Sequence, residues 1–207
     1  MESLLDVLSS AIGSLTNPNK LRKTFKSVNQ SKITATTITK YIEYLEDSFL
    51  IEEAKRYDIK GKSYIGTPMK YYFMDMGLRN ARINFRQMEV THSMENVIYN
   101  ELRMRGFHVD VGNLQIVEQD KNGKLVKKQL EVDFICNKGS KKYYIQSAYT
   151  LGTEEKMEQE IRPLNKINDS FKKIVITSNT PRPFYNDEGI LMMSVFDFLL
   201  KPDSLEM

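Results

Sequence analysis

Cysteine is nearly missing from the chain. Cys136 is the only one in 207 residues, which excludes an internal disulfide and fits a reducing compartment. Histidine is almost as scarce, with His92 and His108 alone, too few to build a zinc site from Cys and His ligands. Tryptophan is absent and only six prolines occur, while 41% of residues are apolar and 28% charged. That balance excludes compositional disorder and allows a buried core. No apolar run approaches the ~20 residues that cross a bilayer, and no basic leader followed by an apolar stretch opens the chain. The expectation is a cytoplasmic protein with no membrane partner. Two catalytic signatures are also missing. No Gly-x-x-x-x-Gly-Lys-Ser/Thr loop exists to cradle nucleotide phosphates, and no Gly-x-Ser-x-Gly elbow exists to expose a nucleophilic serine.

Acidic residues are absent from one long segment. Between Val7 and Ile42 there is no Asp or Glu, while Lys20, Arg22, Lys23, Lys26, Lys32 and Lys40 all fall there. The whole chain is only +3, with 30 basic and 27 acidic residues, so the asymmetry is local. Residues 1–90 hold 14 basic and 10 acidic side chains, net +4, and the remainder hold 16 and 17, net −1. A local positive field attracts phosphates, although a solvated lysine-rich face has the same composition.

What is present divides the chain at about residue 88. Leu4, Leu5, Leu8 and Ile12 recur at helical spacing, Lys20–Val28 is a second helix candidate, and Ile38, Ile42, Leu45 and Phe49 mark a third beneath threonine caps at Thr34, Thr36 and Thr37. Leu50–Ile59 and Met69–Met74 read as strands of a hairpin with a long tip loop bearing Lys60, Lys62 and Tyr64. Three helices and a basic-tipped hairpin are the plan of a winged helix-turn-helix, predicted over 1–88. Phosphate contacts then suit Lys20, Arg22, Lys23, Lys32, Lys40, Lys60 and Lys62. Glu43, Glu46 and Asp47, late on the third helix, oppose a duplex there. Docking of a protein partner is the alternative use of such a module.

Residues 89–207 alternate between element types, predicting an α/β domain. A helix is predicted over His92–Arg105, followed by strands at Phe107–Val111, Leu130–Cys136 and Lys142–Ser147, a helix from Glu154 to Lys166, and a strand at Lys173–Thr177. A short strand over Ile190–Met193 and a helix capped by Ser194 complete it. Cys136 lies in an apolar strand and reads as core. If Leu130–Cys136 pairs with Lys142–Ser147, then Glu95, Asp133 and Gln146 offer two carboxylates and an amide oxygen, with Glu131 on the same strand face as Asp133. Oxygen ligands of that kind suit Mg²⁺. The competing reading is that they are structural. An aromatic set of Tyr71, Tyr72, Phe73, Tyr143, Tyr144 and Tyr149 is a candidate partner surface, with core packing as the alternative.

Several short motifs occur in a suggestive order: Lys70, Tyr71, Tyr72, Phe73, Asp75 and Gly77-Leu78-Arg79-Asn80, then Glu95-Asn96, Tyr99-Asn100-Glu101-Leu102 and Arg105-Gly106. Glu131 to Ile135, Tyr144 to Ser147, Arg162-Pro163-Leu164 and Asp197 to Leu200 follow. Together these resemble the C-terminal region of prokaryotic AAA-type, P-loop ATPases that end in the domain called DUF4143. The resemblance implies a winged helix followed by a PD-(D/E)xK nuclease-like domain. It also implies a preceding ATPase domain that this sequence lacks, with ATP and Mg²⁺ expected only there and no cofactor in this chain.

In the nuclease-like pattern the resemblance implies, Glu95 matches the helix acid, Asp133 the strand acid and Gln146 the third ligand. Ala148 stands where a lysine belongs. Alanine can neither orient the attacking water nor stabilise charge on a phosphate. The expected function is therefore a non-catalytic accessory region that docks partners or positions nucleic acid. Weak, sequence-insensitive DNA binding is the first alternative and Mg²⁺-dependent nuclease activity the second. Partners implied are the ATPase domain, DNA, another copy of the chain or another protein.

Overall fold

The Thr34 hydroxyl accepts a hydrogen bond from the Thr37 backbone N–H at 3.1 Å, satisfying a donor that an uncapped helix leaves unpaired. It opens the clearest helix of the sequence, Ala35–Asp47 (α3), which turns Ile38, Ile42 and Leu45 into a core. In the computed structural model, which describes residues 1–28, 33–86, 89–120 and 123–207, the fold is mixed α/β. It has seven α-helices and one eight-stranded sheet among the described residues. Lys32, and Asn122 of the Asn122-Gly123 pair that the sequence marks as a hairpin turn, lie outside them. The chain forms two compact units, Met1–Lys55 with Gly66–Asn100, and Arg56–Ile65 with Glu101–Met207.

The first unit is built on Glu2–Ser10 (α1), Pro18–Val28 (α2) and α3. Leu4, Leu5 and Leu8 of α1, Leu21 and Phe25 of α2, and the inward face of α3 share a core with Ile51, Tyr71 and Phe73. The apolar pattern continues past α1, yet the helix stops, and Gly13 then adopts φ 71°. A Cβ at Gly13 would meet His92 Nδ1 at 2.2 Å, so both backbone and space demand glycine. The strands Ile51–Asp58 (β1) and Ser63–Phe73 (β2) are joined by only residues 59–62. The expected long tip loop is corrected to a tight turn, because Asp58 Oδ1 accepts from the N–H groups of Lys60 and Gly61 at 3.0 Å each. Asp75 caps Met76–Arg82 (α4) through the Leu78 N–H, and Val90–Met104 (α5) follows.

The second unit contains His108–Gln119 (β3), Leu125–Lys138 (β4), Lys141–Ala148 (β5), Glu154–Asn165 (α6), Lys172–Thr177 (β6), Phe184–Tyr185 (β7), Leu191–Ser194 (β8) and Val195–Leu200 (α7). The strand order is β2-β1-β3-β4-β5-β6-β8-β7. β3, β4 and β5 run antiparallel, with Phe134 opposite Ile145, so the predicted pairing is present. β5, β6 and β8 are parallel, and β5 and β6 are connected by a crossover through α6. Leu114, Val132, Ile135, Tyr144, Leu164 and Val175 centre the core. Gly112 sits at a register shift between β3 and β4, where a Cβ would meet Val132 Cβ at 2.8 Å. The shift is a bulge that lets the strands approach.

Candidate functional site

Glu95 lies on α5 and is buried. Its Oε1 accepts from Lys70 Nζ at 2.8 Å and from the Tyr72 hydroxyl at 2.7 Å. His92 Nδ1 stands 3.5 Å from Oε2, an electrostatic contact, since that nitrogen makes no hydrogen bond. Burial alone would raise the carboxyl's pKa, but the Lys70 charge, helped by His92 and Tyr72, outweighs it and holds the group well below the usual carboxylate range. The next residues extend the same clamp. Asn96 accepts from the Phe73 N–H at 2.8 Å and donates to the Phe73 carbonyl at 2.7 Å, and Asn100 donates to that carbonyl at 2.9 Å. Tyr72 stacks on Tyr99 with centroids 4.1 Å apart. Farther along, buried Arg79 donates to the Ser9 carbonyl at 2.9 Å. The motif run from Lys70 to Asn80 thus ties β2 and α4 to α5 and α1 inside the first unit.

Asp133 and Gln146 belong to the second unit, on β4 and β5. Asp133 Oδ2 accepts from the Ser147 N–H at 2.8 Å, and Gln146 Oε1 accepts from the Asp133 N–H at 3.4 Å. The other end of the Gln146 amide donates to Glu160 Oε2 at 3.5 Å. Glu160, on α6, is an acid that the sequence pattern missed, and burial raises its pKa. Ala148 is buried and supplies no charge. Among the described residues no group of three or more His, Cys, Asp or Glu side chains is placed to hold a metal ion. The Asp133 carboxylate ties neighbouring strands together and the Gln146 amide joins them to α6. Cys136 is fully buried, and desolvation pushes its thiol well up, which suits the core role.

The basic residues divide between the units. Arg22, Lys23 and Lys26 on α2 and Lys40 on α3 are exposed, and none forms an ion pair among the described residues. Lys20 differs, because its ammonium donates to the Leu15 carbonyl at 2.9 Å. Lys60 and Lys62 are grouped with the second unit, where they line a cavity with Tyr57, Lys142, Tyr144 and Phe171. Of the aromatic set, Tyr71, Tyr72, Phe73, Tyr143 and Tyr144 are buried and only Tyr149 is exposed, so the expected aromatic surface is corrected to core packing. Lys142 and Phe171 escaped sequence reasoning. The signal was the run Lys141-Lys142-Tyr143-Tyr144, in which basic and aromatic residues adjoin.

Residues 1–89 match the family model of a domain of unknown function, DUF8612. This match corrects the resemblance to AAA-type ATPases with DUF4143, and the relatives carry neither description. An uncharacterized protein of Haemophilus influenzae is 33% identical over 204 residues, 97% of this chain and 46% of that protein. The uncharacterized protein MJ1544 of Methanocaldococcus jannaschii is 30% identical over 194 residues, 94% of this chain and 40% of its own length. The chain therefore spans less than half the length of these curated relatives. Among solved structures, protein VC1899 from Vibrio cholerae aligns over 98% of this chain and 50% of its own, with a TM-score of 0.39 and 12% identity. The expectation of an attached ATPase domain, with its ATP and Mg²⁺, loses the resemblance that carried it. Among the described residues no helix is long and apolar enough to cross a membrane.

Proposed function

We propose that this chain is a non-catalytic module that holds nucleic acid by its phosphate backbone through the first unit. The observation that carries the reading is the set of exposed cations Arg22, Lys23, Lys26 and Lys40, none in an ion pair among the described residues, in a segment without an acid from Val7 to Ile42. Helices α2 and α3 pack on each other in the manner of a helix-turn-helix, and we read α1–α3 with the following strands as a winged helix. In that motif the N-terminal half of the second helix enters the groove, and here that half carries Thr36 and Lys40. Glu43 and Asp47 come later, and Glu46 turns back to accept from the Glu53 N–H at 3.1 Å. Lysines neutralise phosphates without reading bases, so the binding is sequence-insensitive.

The second unit is read as a nuclease-like α/β fold that has lost its chemistry. Asp133 is engaged by the Ser147 N–H, and Ala148 occupies the place where hydrolysis needs a cation. The deciding experiment is fluorescence anisotropy with labelled duplexes of unrelated sequence at low and moderate salt. Binding is expected for all of them, with log K falling by ~0.9 per log salt for each neutralised phosphate. Replacing Arg22, Lys23, Lys26 and Lys40 together by glutamine is expected to abolish it. Absence of duplex binding at low salt, or binding untouched by that variant, overturns the proposal.

A further inference from the structure

A concave site of about 450 Å³ lies in the second unit. Three rings line it: Tyr57 near the end of β1, Tyr144 of β5, and Phe171 just before β6. Four lysines line it as well, Lys60, Lys62, Lys142 and Lys166. The Lys142 ammonium lies 5.1 Å from the Tyr144 ring centroid, 5.2 Å from that of Phe171 and 5.9 Å from that of Tyr57. Only one acid shares the lining, Asp169, and its carboxylate is already engaged. Oδ2 accepts from the Tyr144 hydroxyl at 2.6 Å and Oδ1 from the Phe171 N–H at 3.2 Å. None of the four lysines forms an ion pair among the described residues.

Ring faces stabilise the Lys142 cation, but they do not neutralise it. Four like charges around one concavity repel each other and concentrate anions within it. The volume falls in the ~300–1,000 Å³ range of small-ligand sites. An inorganic anion uses the lysines and leaves the rings idle, whereas a neutral aromatic molecule uses the rings and leaves the charge unanswered. A flat ring system joined to a phosphate answers both. We propose that this cavity binds a nucleobase carrying a phosphate, with the base against the accessible Tyr57 and Phe171 rings and the phosphate on the lysines. The same chemistry comes from a free nucleotide or from a single-stranded segment of nucleic acid, in which bases are unstacked and available to aromatic side chains.

The proposal stands apart from duplex binding by α2 and α3, and the test keeps the two separate. A short labelled single-stranded oligonucleotide is titrated at low salt, then challenged with unlabelled mononucleotide and with inorganic pyrophosphate. Phe171→Leu removes a ring that is 42% exposed and Lys142→Gln removes the central charge. Each is expected to weaken binding roughly tenfold or more, with thermal melts confirming folded protein. The glutamine variant of Arg22, Lys23, Lys26 and Lys40 is expected to retain single-strand binding while losing the duplex. Displacement by mononucleotide assigns the cavity to free nucleotides, and binding confined to the oligonucleotide assigns it to single strands. The proposal is overturned if neither ligand binds, if Phe171→Leu and Lys142→Gln both bind normally, or if pyrophosphate competes as well as the mononucleotide.

Discussion

Lys70 and Glu95 meet at 2.8 Å with side chains only 4% and 7% exposed, and a buried pair is costly to break because the survivor keeps its charge without its partner. Lys70→Met is therefore expected to destabilise the protein by about 3–5 kcal/mol, measured by urea unfolding. Adding Glu95→Gln should recover part of the loss, since the uncompensated carboxylate is then gone. The pair also sets a pH response. Glu95 is depressed below its ordinary 4.5, so its contribution is present above that value and disappears as pH falls through the folded pKa. His92 is raised above 6.5, first by its contact with Glu95, with burial opposing. Its contribution is present below 6.5 and is lost as pH rises through the folded pKa. In thermal melts across that range His92→Gln should flatten the alkaline limb and leave the acid limb in place. At Gly13, alanine faces both a positive φ and the His92 ring, and a loss of about 1–3 kcal/mol is expected in the same urea assay.

Helix ends and their pins decide stability at the level of the element. Arg105, just beyond α5, sits 4.4 Å from the Phe198 ring centroid. It donates to Glu101 Oε1 at 2.7 Å, to the Pro202 carbonyl at 3.1 Å, to Ser204 Oγ at 3.0 Å and to the Phe198 carbonyl. One planar fork thereby gathers the last helix and the turn after it. Lysine has neither the fork nor the flat face, so Arg105→Lys should cost about 1–3 kcal/mol and expose Val195–Met207 to early proteolysis. Thr34→Ala removes the α3 cap and should cost about 1 kcal/mol in chemical denaturation. The other end of α3 carries Glu46, whose pKa is pushed up to about 7, first by burial and then by Glu53. The folded state binds that proton more tightly than the unfolded one, so stability falls as pH rises from 4.5 to about 7. Glu46→Gln should remove this slope in melts recorded across the interval.

At the scale of the whole molecule, the exposed cations of α2 and α3 belong to one unit and the Asp133–Gln146 pair to the other, and the proposed reading assigns catalysis to neither. Asp133 and Gln146 connect strands, and Glu95 serves a buried clamp in the other unit. Incubation with Mg²⁺ or Mn²⁺ and labelled single- or double-stranded DNA should give no cleavage that Asp133→Asn removes. A cleavage activity lost in that variant would show that the strand acid does chemistry beyond holding the Ser147 N–H. Duplex and single-strand affinities should also respond to different substitutions, because the cations of α2 and α3 and the lysines of the cavity belong to different units.

Period and punctuation made much of the architecture legible in advance. Apolar spacing marked α3, a threonine cap marked its start, and short apolar runs marked β4 and β5, because these signals arise within a few residues of chain. Other expectations needed partners distant in sequence. Asp58 tightened the hairpin that the sequence pattern had suggested carried a long tip loop. Burial of Tyr72 and Tyr144 turned an apparent aromatic surface into core. The run from Lys70 to Asn80 read as a family signature, yet its side chains reach Ser9 and Glu95 and its Phe73 backbone pairs with Asn96, residues that no local pattern links to it. The cavity is the strongest case. Tyr57, Lys142 and Phe171 are separated by 85 and 29 positions, counting from 57 to 142 and from 142 to 171. The sequence by itself determined which residues are basic or aromatic and marked most of the longer helices and strands, though not α4 or β7. Only the tertiary structure decided which of those side chains share one concavity, since sheet order and strand register set the distance between residues far apart along the chain.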